Sequence, residues 1–246
     1  MNIRTDIPAA PANPGTRIVR QRDIINRRAL AEKIEELIAE YGMPGARAKI
    51  LPILQDALAN GRAEISKRLL KKPSAGHEMA AAQSFLVDQL VRLIHDIAVQ
   101  HQYPVNNPSS GERIAVMAVG GYGRGEMAPH SDVDIAFLTP HKTTSWTEQA
   151  VEAMLYWLWD LGLKVGQSSR SIDEMVRMAK GDLSIRTALL EGRYIWGDTG
   201  VYEDAKQRFF NEVVAGTDST FVAEKLAERD VRHMKMGDSR YVVEPN

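Results

Sequence analysis

The chain has 246 residues, of which 44% are hydrophobic and 26% charged, and its formal net charge is −1 at pH 7. This length is enough to bury the core of one large domain or two small ones. The near-zero charge provides no basic field for nucleic acid, and no apolar run reaches the roughly 18–20 residues of a membrane span. The sequence has no cysteine, which excludes disulfides and thiolate metal sites and is compatible with a reducing cytoplasm. We therefore expect a cytoplasmic protein with no membrane or nucleic-acid partner.

The N-terminal part of the chain is predicted to be helical behind a short tail. Residues 1–22 are rich in proline, alanine and asparagine, contain no apolar signal core, and are predicted to form a flexible tail. Apolar residues then recur at intervals of three and four, with glycine and proline interruptions. This pattern predicts three helices, at residues 23–41, 47–71 and 77–101. Residues 23–104 are therefore expected to form an N-terminal helical region.

The middle of the chain, residues 105–200, has the pattern of a small sheet. Three short runs bounded by turn residues are predicted to be strands, at residues 113–120, 132–138 and 163–171. A helix is predicted between the second and third strands, at residues 146–161, with Thr144 or Ser145 as its N-cap.

Helices are predicted again in the last part of the chain, at residues 173–179, 183–196, 203–214 and 219–236. Residues 201–246 are expected to be a C-terminal helical region that stops in the middle of a segment, as in a piece of a longer protein. The predicted fold class is α+β, with a small mixed sheet flanked by helices on both sides in sequence.

Two carboxylates at the start of the second predicted strand are the first candidate for chemistry. Side chains alternate along a strand, so Asp132 and Asp134 point to one face, while Val133, Ile135 and Phe137 point to the core. Two carboxylates on one face repel each other, and a divalent cation is the natural remedy. Oxygen ligands suit Mg²⁺, which proteins usually hold with one or two carboxylates plus substrate phosphates.

A glycine-rich loop precedes these carboxylates. Its glycines permit positive φ and a close approach of backbone N–H groups to an anion, and they stand at positions 120, 121, 123 and 125. Arg124 could donate two hydrogen bonds to a phosphate, and Ser131 adds a hydroxyl beside Asp132. The loop has neither the Gly-Lys-Ser/Thr end of a Walker loop nor the following helix of a dinucleotide fold. Loop and carboxylates together predict a site for metal and polyphosphate, and so phosphoryl or nucleotidyl transfer.

These motifs resemble a known family. A strand, Gly-Gly, about ten residues and Asp-x-Asp are typical of the DNA polymerase β-like nucleotidyltransferase superfamily. Within it, GGYGRGEMAPHSDVDIAFL resembles the bacterial PII-uridylyltransferase/uridylyl-removing enzymes. The segments LWDLGLKVGQSSRSIDE and TALLEGRYIWGD and the ending DSRYVVEPN are also similar to them. The resemblance implies that residues 105–200 are a nucleotidyltransferase core.

The resemblance also implies an activity. An enzyme of this family transfers UMP from UTP to a tyrosine of the PII nitrogen-regulatory protein, with Mg²⁺ or Mn²⁺, and releases pyrophosphate. By position, Asp132 and Asp134 would hold the metal, and Gly120 and Gly121 would contact the triphosphate. Further candidate phosphate contacts are Gly123, Arg124 and Ser131.

Several alternatives stay open at the level of sequence. Members of the superfamily usually add a third carboxylate, for which Asp160 and Glu191 are both candidates. Full-length family members continue into a hydrolase domain and glutamine-binding domains that this chain lacks, so hydrolase activity is not expected. The chain could instead transfer another nucleotide to another acceptor, or bind nucleotide or a partner without turnover.

Two further groups of residues are interpreted as structural. The dipeptide His95-Asp96 is interpreted as a surface or interface pair rather than a hydrolase site. The aromatic residues Tyr156, Trp157 and Trp159 are expected to pack in the core, because they lie on a predicted helix.

Overall fold

The computed structural model describes residues 18–105 and 109–235. Most of the predicted tail, and the ending DSRYVVEPN, lie outside these residues. In chain order the helices are α1 (Gln21–Ile24), α2 (Arg27–Lys71), α3 (Gly76–Asp96), α4 (Gly120–Gly123), α5 (Ser145–Asp160), α6 (Ile172–Gly181), α7 (Leu183–Leu190), α8 (Thr199–Phe209) and α9 (Asp218–Lys235). The strands are β1 (Ala115–Ala118), β2 (Val133–Thr139), β3 (Val165–Ser171) and β4 (Arg193–Gly197). Helices α3 and α8 continue into π-helical turns, Ile97–Gln102 and Phe210–Val214.

The N-terminal helices follow the predicted pattern, except that the first two are continuous with each other. The first two predicted helices form the 45-residue α2, which is kinked where Gly42 adopts φ 66° and ψ 162°. A left-handed φ is accessible to glycine at little cost, so the chain changes direction there without ending the helical run. The glycine therefore marks a kink between two helical segments, at the interruption that the sequence predicts.

The sheet has four strands in the order β3-β2-β1-β4. Strand β1 is antiparallel to both β2 and β4, whereas β2 and β3 are parallel and are joined by the crossover helix α5. The predicted N-cap of α5 is Thr144, whose hydroxyl accepts from Thr147 N at 3.2 Å. The expected α+β class with a small mixed sheet is confirmed.

One predicted helix, at residues 183–196, is wrong in its second half. Helix α7 ends at Leu190, and the residues after Gly192 form the edge strand β4 beside β1. The β-branched and aromatic residues Tyr194, Ile195 and Trp196 favour a strand, and Ile195 is completely buried there. Pairing with β1 satisfies the backbone groups that a helix would have bonded internally.

The two faces of the sheet pack against different helices. Val133, Ile135 and Phe137 lie in a large core shared with α2, α3 and α5, which confirms the predicted alternation along β2. On the other face, Ala136 and Leu138 join a smaller core with α6 and α8. Asp134 belongs to this second face, at the end of β2 that the smaller core does not cover.

The N-terminal helices share the larger core with the sheet. The predicted boundaries at residues 104 and 200 remain predictions. Among the helices that the structure describes, none is both long and apolar enough to cross a membrane.

Candidate active site

The two carboxylates lie at the open end of β2. Asp132 is exposed just before the strand, and Asp134, its second residue, is partly buried. Burial, and then the charge of Asp132, raise the pKa of the Asp134 carboxyl. In the described part of the chain, neither side chain has an ion pair or hydrogen bond. Within these described residues, no protein cation therefore neutralises the negative charge of the two carboxylates.

The glycine turn begins directly beside this strand. Val119 N donates to Asp134 O at 3.0 Å, and the next four residues form the single helical turn α4. Gly120 has φ 58°, and a Cβ there would lie 3.6 Å from Asp134 Oδ2. No acceptor is described for the N–H groups of Gly120 and Gly121. These two groups are therefore available to an anion next to Asp134.

Gly123 is a glycine for a different reason. Its N–H already donates to Val119 O at 3.0 Å, within the turn. A Cβ at Gly123 would overlap the carbonyl oxygen of Glu191. The missing side chain thus lets the segment between α7 and β4 pack against the turn.

A buried network fastens the turn from beneath. Arg193 of β4 donates to both carboxylate oxygens of Asp88 on α3, at 2.7 and 3.0 Å. It also donates to the carbonyl oxygens of Tyr122 and Gly123, each at 3.3 Å. Tyr122 OH donates to Asp88 Oδ1 at 2.7 Å. Burial raises the pKa of Tyr122 well above its usual value, so the phenol stays a donor. The network fixes two carbonyls of the turn.

Helix α3 supplies more than this one contact. Four polar residues recur at every fourth position along it, so they share one face: Ser84, Asp88, Arg92 and Asp96. Ser84 Oγ accepts from Met127 N at 3.4 Å, beyond the turn, and Asp96 accepts from Trp196 Nε1 at 2.7 Å. Our sequence interpretation missed this stripe, although polar residues at a spacing of four on an apolar helix were its signal. The pair His95-Asp96 belongs here, and His95 is buried rather than on the surface.

Arg124 lies on the turn, held by two carboxylates. Its guanidinium is 2.8 Å from Glu126 Oε2 and 2.7 Å from Glu191 Oε2. Glu191 is therefore close to the turn, whereas Asp160 pairs with Arg47 of α2 at 2.7 Å. Within residues 18–105 and 109–235, no three His, Cys, Asp or Glu side chains are grouped so as to hold a metal. Neither candidate third carboxylate joins the Asp132–Asp134 pair in such a group.

Ser131 orders the loop before the carboxylates. Its Oγ accepts from Ala128 N at 3.0 Å, and the residue between them in the turn, His130, has a left-handed φ of 69°. A non-glycine residue in this conformation is uncommon. The hydroxyl thus closes a tight loop immediately before Asp132.

The residues fit a hard divalent cation. Among the residues that the structure describes, neither carboxylate has a cationic partner, and the pKa of the Asp134 carboxyl is raised first by burial and then by the nearby charge of Asp132. Two carboxylates leave ligand positions for water and phosphate oxygens, as Mg²⁺ prefers. We expect a bound cation to favour the ionised form of both groups.

The predicted packing of the aromatic residues on α5 is correct for only one of the three. Trp157 is completely buried, but Tyr156 and Trp159 are 49% and 47% exposed. They contact each other edge to face, with ring centroids 5.6 Å apart. The helix buries one stripe, and these two residues lie outside it.

The glycine turn and the Asp-x-Asp strand lie in the part of the chain that is similar to a known family of domains. Residues 106–195 match the family described as "Nucleotidyltransferase domain".

The chain is similar over 94% of its length to three proteins named "Bifunctional uridylyltransferase/uridylyl-removing enzyme". The identity is 64% with that of Novosphingobium aromaticivorans, 62% with that of Erythrobacter litoralis and 52% with that of Rhodospirillum rubrum. The match covers 25% of each relative, so the chain spans about a quarter of their length. These matches confirm the resemblance inferred from the motifs.

Proposed function

We propose that this chain carries a uridylyltransferase site that moves UMP from UTP to a tyrosine of a PII-type protein. The observation that carries the proposal is the position of two free N–H groups, of Gly120 and Gly121, beside the unpaired carboxylate of Asp134. Such a site suits a triphosphate accompanied by a divalent cation. The names of the relatives support uridylyl transfer. The PII acceptor rests on the resemblance of the motifs.

The proposed reaction is a displacement at the α-phosphorus. The tyrosine hydroxyl gives up its proton to solvent, a bond forms between its oxygen and this phosphorus, the bond to the oxygen bridging the β-phosphorus breaks, and pyrophosphate leaves. Bound Mg²⁺ or Mn²⁺ would neutralise charge on the triphosphate. Asp132 and Asp134 would hold the cation, while the N–H groups of Gly120 and Gly121 donate to phosphate oxygens. Catalysis then depends on positioning and charge neutralisation, as is general in phosphoryl transfer.

Arg124 has a conditional role in this proposal. Its guanidinium is paired with Glu126 and Glu191, so a phosphate must compete with both carboxylates for it. A triphosphate carries more negative charge than either carboxylate and accepts from the guanidinium bidentately. We propose that Arg124 exchanges at least one of these partners for the nucleotide. Gly123 N already donates to Val119 O, and Ser131 Oγ already accepts from Ala128 N. The structure therefore explains Gly123 and Ser131 without a direct phosphate contact.

The test combines the chain with purified PII protein, Mg²⁺ and each of four labelled nucleoside triphosphates in turn. Label transferred to PII from UTP alone, and lost in Asp134→Asn, supports the proposal with its donor and acceptor. Transfer from another nucleotide would replace UTP as the donor.

A second candidate function is nucleotide binding without turnover, in which Arg124 would keep both of its carboxylate partners instead of contacting the nucleotide. Magnesium-dependent UTP binding with no transfer in the same experiment would support it. The absence of both UTP binding and label transfer would contradict both candidate functions.

A further inference from the structure

The Asp134 carboxylate lies over a residue that has no side chain. Strand β3 runs parallel to β2 at the sheet edge, and Gly166 is the register partner of Asp134. A Cβ at Gly166 would overlap Asp134 Oδ1 and lie 3.4 Å from its Cγ. The three heavy atoms nearest to that Cβ position all belong to Asp134. The space that Gly166 leaves open is thus filled by this one carboxylate.

Backbone conformation does not explain this glycine. Gly166 is not among the residues with positive φ, and it lies within a regular strand. It is also exposed, so core packing does not demand a small residue. Glycine within a strand is unfavourable and often marks a close approach by another group. Here the approaching group is the carboxylate.

A second glycine borders the other oxygen of the same group. The Cβ position of Gly120 lies 3.6 Å from Asp134 Oδ2, while a Cβ at Gly166 would overlap Oδ1. The carboxylate therefore lies between the glycine turn and β3, on the face it shares with Asp132. Any side chain at Gly166 would force it to rotate away from this position.

We propose that Gly166 is a positioning residue, which holds the Asp134 carboxylate where it can bind a divalent cation together with Asp132. The inference rests on the proposed function, because it assigns the cation to Asp134. It extends that function to β3, a strand that contributes no carboxylate of its own. Gly166 acts only through Asp134 and touches neither nucleotide nor acceptor.

The test uses Gly166→Ala, with Gly181→Ala as a matched control. A Cβ at Gly181 meets no heavy atom within 4 Å, and its φ is not left-handed. Mn²⁺ binding is measured by electron paramagnetic resonance, with and without a non-hydrolysable UTP analogue. We expect Gly166→Ala to weaken Mn²⁺ binding about 10–100-fold, as for other residues that orient a metal ligand, with no change in the control.

Thermal unfolding of a double-mutant cycle tests the contact itself, without any ligand. Gly166→Ala should lower the melting temperature of the wild type, and should lower it less or not at all in the Asp134→Ala background, because the overlap is gone there. Equal effects in both backgrounds, or wild-type Mn²⁺ affinity in Gly166→Ala, would overturn the inference. A wild-type chain that binds no Mn²⁺ under either condition would instead overturn the proposed function, and this inference with it.

Discussion

The two halves of the candidate site are built in opposite ways. The glycine turn is held from beneath by Asp88 and Arg193, both buried and bonded to each other and to the turn. The carboxylate half is exposed or partly buried, and its two like charges have no partner among residues 18–105 and 109–235. The fold stabilises the backbone that must keep its shape, and leaves unmatched the charges that a ligand can neutralise.

This difference has an energetic meaning. A buried, fully bonded ion pair is costly to break, because removal of one partner strands the other charge. Removal of one of two neighbouring carboxylates that have no cationic partner has the opposite effect on stability, since it relieves their repulsion. Substitutions in the two halves should therefore change stability in opposite directions. The predictions below use that contrast, from the largest expected effect to the smallest.

The largest effect on activity is expected from Asp134→Asn, which removes a charge from the carboxylate half of the site. We expect transfer to fall by about a thousandfold or more, equivalent to about 4 kcal/mol of activation free energy, while the fold stays intact. Labelled uridylyl transfer and circular dichroism measure the two properties. Asp56→Asn, at an exposed position of α2, is the control and should transfer normally. Normal turnover in Asp134→Asn would remove this residue from the mechanism.

Asp88→Ala tests the glycine turn, which the buried Asp88–Arg193 pair stabilises. The loss of the carboxylate strands the buried guanidinium of Arg193, so the free energy of unfolding should fall by about 3–5 kcal/mol. Urea denaturation measures this change, and Asp56→Ala should alter it by less than about 0.5 kcal/mol. A small change in Asp88→Ala would mean that the turn does not depend on the network. Tyr122→Phe offers a milder version, with a loss of about 1 kcal/mol for one hydrogen bond.

Two glycines of the turn should separate binding from folding. A Cβ at Gly121 would lie 3.7 Å from Arg124 Nη2 and 3.9 Å from Glu126 O, both ordinary contacts, so the fold tolerates Gly121→Val. We expect UTP affinity to fall about tenfold, or about 1.4 kcal/mol, because the side chain blocks the approach to the N–H groups. Gly123→Ala should instead lower stability, since its Cβ overlaps Glu191 O. Calorimetric UTP titration and thermal unfolding distinguish the two variants. Unchanged UTP affinity in Gly121→Val would contradict the proposal that the N–H groups of the turn bind phosphate.

The smallest effect concerns pH. The pKa of Asp134 is raised in the folded chain, so its ionisation destabilises the fold as pH rises from the ordinary aspartate value of about 4 through the raised value. Below that window the group is protonated in both states and costs nothing. Asp134→Asn should therefore gain stability over the wild type as pH increases, by less than about 1 kcal/mol because solvent screens a partly exposed group. A gain that is largest at low pH would contradict this sign.

The sequence by itself determined the local features of the site. Alternation along β2 predicted Asp132 and Asp134 on one face and Val133, Ile135 and Phe137 in the core, and the structure buries these three and leaves Asp134 partly exposed. The glycine pattern predicted a loop with positive φ before them, and Gly120 and Gly125 adopt this conformation. These features depend on residues within a few positions of one another, where periodicity and backbone sterics act directly.

Tertiary structure alone decided which distant residues complete the site. Strand β4 replaced the predicted end of a helix because an open edge of β1 was there to pair with. The Asp88–Arg193 pair joins residues 105 positions apart, and Gly166 reaches Asp134 only through the crossover that makes β2 and β3 parallel. No local pattern encodes such contacts. They follow from how the helices and strands pack, because only packing brings buried charges and missing side chains opposite their partners.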